Sequence, residues 1–244
     1  MQSTAERLYA PDGDAADTIW TARPKLVVTH GTDAGVTTER ARRVLNIVVA
    51  TLMLIAVFPL MLGIALLITL TSPGPVIFRQ TRVGLDRRKG RGGNWRRRVD
   101  YGGRLFTMYK FRTMTTSGSG QVWATPDDPR VTPVGRVLRK YRLDELPQLV
   151  NVLKGDMNVV GPRPEQPEIF MELRDKVSGY PVRQRVLPGI TGWAQIHQSY
   201  DRCIEDVRAK VQLDLQYLED ASVAKDLQIL ARTIPVVTLK KGGW

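Results

Sequence analysis

The sequence predicts a mainly helical α+β fold: a compact domain with a small β-hairpin, seated on a membrane by one apolar helix and by amphipathic helices. Three observations carry this expectation. Leu45 to Leu70 is a mostly apolar run of about 26 residues without a charge. Val76-Ile77-Phe78 and Leu105 to Met114 read as two strands. Beyond Leu143, apolar residues recur at helical spacing in three separate stretches.

Composition narrows the chemistry before any motif is considered. A chain of 244 residues has room for one domain with a full core plus extra segments. Its formal charge of +12 attracts phosphates, whether on nucleic acid, anionic lipid or a phosphorylated substrate. The single cysteine, Cys203, excludes an internal disulfide and a cysteine zinc site. His30 and His197 are too few and too dispersed for a histidine metal site. Any metal would rest on carboxylate and phosphate oxygens, which points to magnesium.

The first element is the apolar run. Residues 1–43 lack sustained periodicity and read as a flexible extension, ending in a basic collar of Arg40, Arg42 and Arg43. No signal-peptide core follows Met1. As a helix rising about 1.5 Å per residue, Leu45–Leu70 is about 39 Å long, enough to cross a bilayer core. Pro59 in its middle removes a hydrogen bond and favours a kink. Positive charge lies on both sides, at the collar and again at Arg79, Arg82, Arg87, Arg88 and Lys89, which favours keeping both ends in the cytoplasm. A kinked single-pass helix and a re-entrant helix with arms of about 16–21 Å are both compatible with these features.

Ser72-Pro73-Gly74-Pro75 then breaks the chain before the first strand. Alternation along the second strand puts Phe106, Met108, Lys110, Arg112 and Met114 on one face, with Tyr109 and Phe111 on the other. Between the strands, Arg87–Gly93 and Arg96-Arg97-Arg98 form a basic loop suited to anionic headgroups or to solvent. The third element is a helix over Leu143–Met157, with Leu146, Leu149, Val150 and Leu153 in period and Gly155 as its stop. Pro147 is tolerable only in the first turn, so the helix should start near Asp144 and Glu145. Breakers follow at Gly161-Pro162-Arg163-Pro164 and Pro188-Gly189. Ile204, Val207, Val211, Leu215 and Leu218 trace an amphipathic helix, and Leu227 and Leu230 suggest another ending near Lys240-Lys241 and Trp244.

Asp144-Glu145 is the pair with chemical interest. At a helix N-terminus, Asp caps exposed N–H groups and both charges suit the macrodipole. The same setting keeps Asp144 ionised beside an anion site, and a carboxylate can attack phosphorus to give an acyl phosphate. Its approach to a diphosphate requires compensating cations, for which Lys110, Arg112, Arg139 and Arg163 are candidates. No dinucleotide fingerprint, Walker loop or nucleophile elbow occurs, nor any helix-turn-helix or aromatic RNA-binding signature.

Five segments in order carry a resemblance. They are Ser72-Pro-Gly-Pro-Val-Ile-Phe-Arg-Gln80, Lys110-Phe-Arg-Thr-Met114, Leu143-Asp-Glu-Leu-Pro-Gln-Leu-Val-Asn-Val-Leu-Lys-Gly-Asp-Met157, Val160-Gly-Pro-Arg-Pro164 and Pro188-Gly-Ile-Thr-Gly-Trp-Ala-Gln195. From about Val44 onward the chain resembles the bacterial sugar transferases, the monotopic polyprenyl-phosphate phosphoglycosyl transferases of small single-domain type. The resemblance implies a flexible extension at 1–43, a re-entrant membrane helix at 44–72 broken at Pro59, and a catalytic domain at 73–244 on the cytoplasmic face of the bacterial inner membrane. It further implies transfer of a sugar 1-phosphate from a nucleotide sugar, with uridine diphosphate expected, to polyprenyl (undecaprenyl) phosphate, releasing the nucleoside monophosphate. Asp144 would be the covalent nucleophile, associated with Mg2+. Glu145 would assist it in proton transfer or positioning, with Lys110, Arg139 and Arg163 on the phosphates. The partners implied are the nucleotide sugar, polyprenyl phosphate and membrane lipids, with no nucleic acid; a second copy or polysaccharide assembly machinery is left open.

The chain departs from the pattern at three places. Phe58 stands where small members often carry Ser before the helix-breaking proline, which removes a hydroxyl from the kink. Leu187 stands where many members have Arg or Lys, so a phosphate or headgroup contact is either missing or supplied by Arg183 or Arg185. The basic insertion Arg87–Gly103 is longer than usual. Two other readings of the charge and the anchor are a catalytically silent membrane scaffold and a basic lipid- or nucleic-acid-binding module.

Overall fold

The computed structural model describes residues 33–87, 100–115, 128–198 and 203–238. The basic loop from Arg88 to Arg98, Lys240-Lys241, Trp244 and most of the N-terminal extension lie outside them. In chain order the elements are α1 (Asp33–Thr71), β1 (Ile77–Val83), β2 (Leu105–Phe111), α2 (Pro133–Lys140), a 3₁₀ turn (Leu143–Glu145), α3 (Gln148–Lys154), β3 (Asn158–Val160), α4 (Pro167–Lys176), a 3₁₀ segment (Tyr180–Arg185), β4 (Gly189–Thr191), α5 (Trp193–His197), α6 (Ile204–Glu219) and α7 (Val223–Thr238). The expected mainly helical α+β class holds.

Helix α1 begins at Asp33, ten residues before the predicted end of the extension, and its helical backbone continues through Pro59. Proline there leaves the carbonyl of Ile55 without its usual N–H partner. From Glu39 the helix is long and apolar enough to cross a membrane, with only 11% of its most apolar window buried. Leu52, Ile55, Phe58, Leu62, Leu66 and Leu70 are among the exposed apolar side chains. A surface of that size is unfavourable in water and favourable in lipid.

The basic collar does something the charge count did not suggest. Arg42 turns into the protein, where its Nε donates to Asp226 Oδ2 at 2.9 Å and its Nη2 to the hydroxyl of Tyr217. Tyr217 in turn donates to Asp226 Oδ1 at 2.7 Å. Arg43 donates to the carbonyls of Val152 (2.7 Å) and Leu153 (3.1 Å), so it satisfies the open C-terminus of α3. One turn on, Asn46 accepts from the backbone N–H of Val159 in β3. Ala50 is fully buried against the cluster of Phe106, Met108, Leu149, Val152, Met157 and Val159. Near the other end, Ile64 and Ile68 pack with Phe111 and Leu138. Both ends of the apolar run therefore rest on the same folded unit.

β1 and β2 form the expected antiparallel pair, with Phe78 opposite Lys110 and Gln80 opposite Met108. The second strand is shorter than predicted: it ends at Phe111, and Met114 makes only an isolated bridge with Val131. A second, parallel ladder joins β3 to β4, pairing Asn158 with Gly189 and Val160 with Thr191. The two breakers are its continuation: Gly189 donates to Pro162 O and Gly161 to Thr191 O. A side chain on Gly161 or Gly189 would collide with the opposing backbone, a Cβ on Gly189 lying 2.1 Å from Gly161 N. Glycine there permits close approach of two chains.

Helix α6 buries the predicted stripe at Val207, Val211 and Leu215 against Phe170, Leu173 and Tyr180. In α7 the core contact falls to Ile229, fully buried, whereas Leu227 is half exposed. Arg42→Met should therefore destabilise the protein by about 3–5 kcal/mol, because Asp226 is left charged and buried without its cation. Adding Asp226→Leu should recover most of that loss, as measured by chemical unfolding of the full chain in nanodiscs.

Candidate active site

The expected helical cap is absent. Leu143–Glu145 is a 3₁₀ turn, and α3 starts only at Gln148 with Pro147 at its N-cap and no side-chain cap bond. Arg142 enters the turn in the left-handed region at φ 53°, an uncommon conformation for a residue other than glycine. That reversal lets both Asp144 and Glu145 face inward, 7% and 6% exposed. The predicted stop holds: Gly155 takes the left-handed C-cap at φ 84°.

The two acids differ in surroundings. Glu145 is clamped by two cations from different parts of the chain. Its Oε1 accepts from Lys110 Nζ at 2.9 Å and from Arg163 Nη2 at 2.7 Å, with Arg163 Nη1 3.4 Å from Oε2. Burial alone would raise its carboxyl, but Arg163 and Lys110 outweigh that and hold it well below the ordinary range. Among the described residues, none donates a hydrogen bond to the Asp144 carboxylate. Burial pushes Asp144 up, and the Glu145 charge adds to the rise; Lys110, Arg163 and Arg139 oppose it without cancelling it. The dyad thus pairs an acid held in its ionised form by two cations with a neighbour whose carboxylate oxygens accept no hydrogen bond among the described residues.

The structure brings three of the four predicted cations to this point. Lys110 reaches it from the last turn of β2, and Arg163 from the loop after β3. Arg139, at the end of α2, donates its Nε to Thr113 Oγ1 at 3.0 Å and acts on the Asp144 carboxyl. Arg112 goes elsewhere. The strand has ended at Phe111, and Arg112 Nη2 donates to Ser72 O (2.7 Å) and Ser72 Oγ (2.8 Å) at the exit of α1. A cation at a helix C-terminus satisfies open carbonyls and the dipole there. Pro59, the predicted break, lies within the exposed stretch of α1.

Sequence reasoning missed the layer beneath Arg163. Glu165 accepts from Lys210 at 3.0 Å and lies 4.0 Å from Arg82 and 3.8 Å from Arg183. Burial is opposed by those cations, which hold its carboxyl at about 2. Arg82 donates to Pro164 O and Arg183 to Arg163 O, each at 3.1 Å, so the network grips the Pro-Arg-Pro backbone. Arg183 is 2% exposed and pairs with Asp214 at 2.7 Å, so it is not the surface contact expected in place of Leu187. These pairings span 18 to 83 residues in sequence and leave no local pattern; only the density of Arg and Glu around the breakers hinted at them.

Comparison with known proteins gives the family of the chain. The bacterial sugar transferase family model matches residues 37–240. The chain belongs to the bacterial sugar transferase family. It is 42% identical over 197 residues to the UDP-glucose:undecaprenyl-phosphate glucose-1-phosphate transferase of Escherichia coli (strain K12), covering 79% of this chain and 39% of that protein. It is 40% identical over 198 residues to the UDP-N-acetylgalactosamine-undecaprenyl-phosphate N-acetylgalactosaminephosphotransferase of Aeromonas hydrophila, covering 80% and 43%. A UDP-glucose:undecaprenyl-phosphate glucose-1-phosphate transferase of Caulobacter vibrioides is 39% identical over 204 residues, covering 82% of this chain and 70% of that protein. The chain spans about two fifths of the length of the first two relatives.

The opposite displacements of the two acids give the fold a defined pH response. Glu145, held below its unfolded value, contributes stability that is complete above the ordinary carboxylate range and is lost as pH falls through its lower folded value. Asp144, raised, favours the fold below that range and costs stability once ionised. Glu145→Gln should lower stability at pH 7 by about 2–3 kcal/mol and flatten the acid limb of the stability–pH curve. Asp144→Asn should raise the unfolding temperature at pH 7, by about 2–4 °C per kcal/mol recovered.

Proposed function

We propose that this protein transfers a sugar 1-phosphate from a uridine-diphosphate sugar to polyprenyl (undecaprenyl) phosphate in two steps through Asp144. The observation that carries this reading is the division between the two buried acids: Glu145 is fully engaged by Lys110 and Arg163, while Asp144 beside it has unengaged oxygens and three cations in range. A carboxylate oxygen of Asp144 attacks the phosphorus bearing the sugar. The bond from that phosphorus to the bridging oxygen breaks, and uridine monophosphate leaves with the electron pair. An oxygen of polyprenyl phosphate then attacks the same phosphorus, forming the lipid diphosphate sugar and returning Asp144 as a free carboxylate. Splitting the transfer avoids bringing two anionic substrates together at once.

Lys110, Arg139 and Arg163 offset the charge that gathers on the transferred phosphoryl oxygens. Glu145 is a poor base, since its carboxyl is held well below the ordinary range. Its role is to fix Lys110 and Arg163 against the nucleophile. Arg112 supports the site from the exit of α1. Magnesium fits this donor set as an ion carried on the diphosphate, with Asp144 as its protein carboxylate. Among the described residues no cluster of three or more acids, histidines or cysteines is available to cage it, and Mg2+ often takes one or two carboxylates plus substrate phosphates. When bound it supplies charge neutralisation of the diphosphate.

The similar transferases of Escherichia coli and Aeromonas hydrophila are named for different sugars but the same nucleotide and acceptor. That supports uridine as the leaving half and makes a panel of sugars the natural screen. Such a product belongs to the first membrane step of exopolysaccharide, capsule, O-antigen or glycoconjugate assembly. The reading places the domain on the cytoplasmic face, with α1 entering and leaving the bilayer by that face. Contacts at both ends of the apolar run with one folded unit, through Arg42 and Asn46 on one side and Ile64 and Ile68 on the other, support this topology.

Asp144→Asn should reduce release of uridine monophosphate by roughly 10³-fold or more, and label from the donor sugar should remain on the wild-type protein when lipid is withheld. Near wild-type release by that variant would exclude Asp144 as nucleophile. Single cysteines at Ala41 and Thr71 should both react with a reagent added to the cytoplasmic side. Opposite-side reactivity would establish a single-pass helix instead.

A further inference from the structure

Lys110 reaches Glu145 from a strand whose outer edge meets no third strand among the described residues. β1 covers one edge of β2, and on the other the backbone groups of Thr107 and Tyr109 face α3. A single side chain meets them. Asn151, fully buried in α3, donates its Nδ2 to Thr107 O at 2.7 Å and accepts from Tyr109 N on its Oδ1 at 3.0 Å. One amide thus supplies the donor and acceptor that a neighbouring strand residue would have supplied.

The position of this bond pair matters. Tyr109 directly precedes Lys110, and Asn151 lies in the helix that directly follows the Asp144-Glu145 turn. Beyond this pair, β2 and α3 meet through Phe106 and Met108 with Leu149 and Val152, and through the flexible Lys154, whose exposed ammonium donates to the Tyr109 hydroxyl at 3.1 Å. Apolar contacts have no preferred register, whereas two hydrogen bonds to one backbone segment do. Resting on the roles given above to Lys110 and the dyad, we propose that Asn151 is a positioning residue: it sets the register of β2 against α3 so that the Lys110 ammonium meets Glu145 beside the nucleophile.

The proposal is tested on the full chain in nanodiscs with Asn151→Leu and Asn151→Asp, each alone and combined with Lys110→Met. Leucine removes both hydrogen bonds at similar volume; aspartate keeps the acceptor for Tyr109 and loses the donor to Thr107. Each single Asn151 variant should lower kcat about 30- to 100-fold with KM for the nucleotide sugar within about threefold, the scale of a misplaced catalytic group. The acid limb of kcat should move to higher pH in these variants and in Lys110→Met alike, because in each the dyad loses its nearest ammonium. In the Lys110→Met background the further loss should be under about threefold, since the residue acts through that lysine. Losses that multiply in the double variants, or an unmoved pH limb, would overturn the proposal, as would wild-type kcat in both single variants. If Asn151→Leu does not fold, the Asn151→Asp cycle decides alone. Asp144→Asn run in parallel separates the two levels: its activity tests the nucleophile, independently of whether Asn151 couples to Lys110.

Discussion

A buried glutamate is costly to ionise unless cations meet it, and Glu145 is met by two that come from far apart in the chain. Lys110 arrives on β2, Arg163 on the loop that leaves β3, and the acid itself sits on a turn between α2 and α3. Removing the acid leaves two cations facing each other without compensation, and removing either cation leaves the acid with a single partner. The rest of the architecture can be read as the means of bringing them together. The hairpin carries Lys110, the parallel ladder and its close glycines hold the Pro-Arg-Pro loop, and the Glu165 network grips that loop from behind.

This arrangement also separates two tasks that adjacent carboxylates usually share. One acid takes up the fixed positive charge and stays ionised. The other, desolvated and without a hydrogen-bonding partner among the described residues, is raised in energy as an anion. On the proposed reading, a site that holds its nucleophile in an unfavourable charged state sacrifices some stability at neutral pH, a familiar consequence of building function into a buried position.

Much of the fold was legible because it depends on local signals. Pro and Gly placed the breaks before β1 and after α3, alternation marked the hairpin, and the Val207–Val211–Leu215 stripe marked α6. Lys110, Arg139, Arg163 and the dyad emerged first from residue type and position near a strand face, a helix start and the prolines, and then from motif order. What stayed hidden depends on distant pairing. β3 and β4 are three residues each, too short for a pattern, and they meet across the breakers that seemed to end structure there. The turn at Leu143–Glu145 read as helix because a 3₁₀ turn and a first helical turn share the same residue preferences; only the left-handed Arg142 separates them. Arg112 was assigned to the face of Lys110 by alternation, which ceased with the strand one residue earlier. Arg183 looked like a surface cation because nothing nearby in sequence announces Asp214.

The collar at Arg42, Arg43 and Asn46 has a last implication. Each of these side chains completes a group on the folded domain: a buried carboxylate, the end of a helix, a strand N–H. The apolar helix is therefore part of the interior as much as it is an attachment. Proteolytic removal of α1 by a cut after Thr71 would not liberate an intact diffusible domain. It would leave three unmatched polar groups beside the core that carries the dyad, so detachment from the lipid surface and inactivation would be one event.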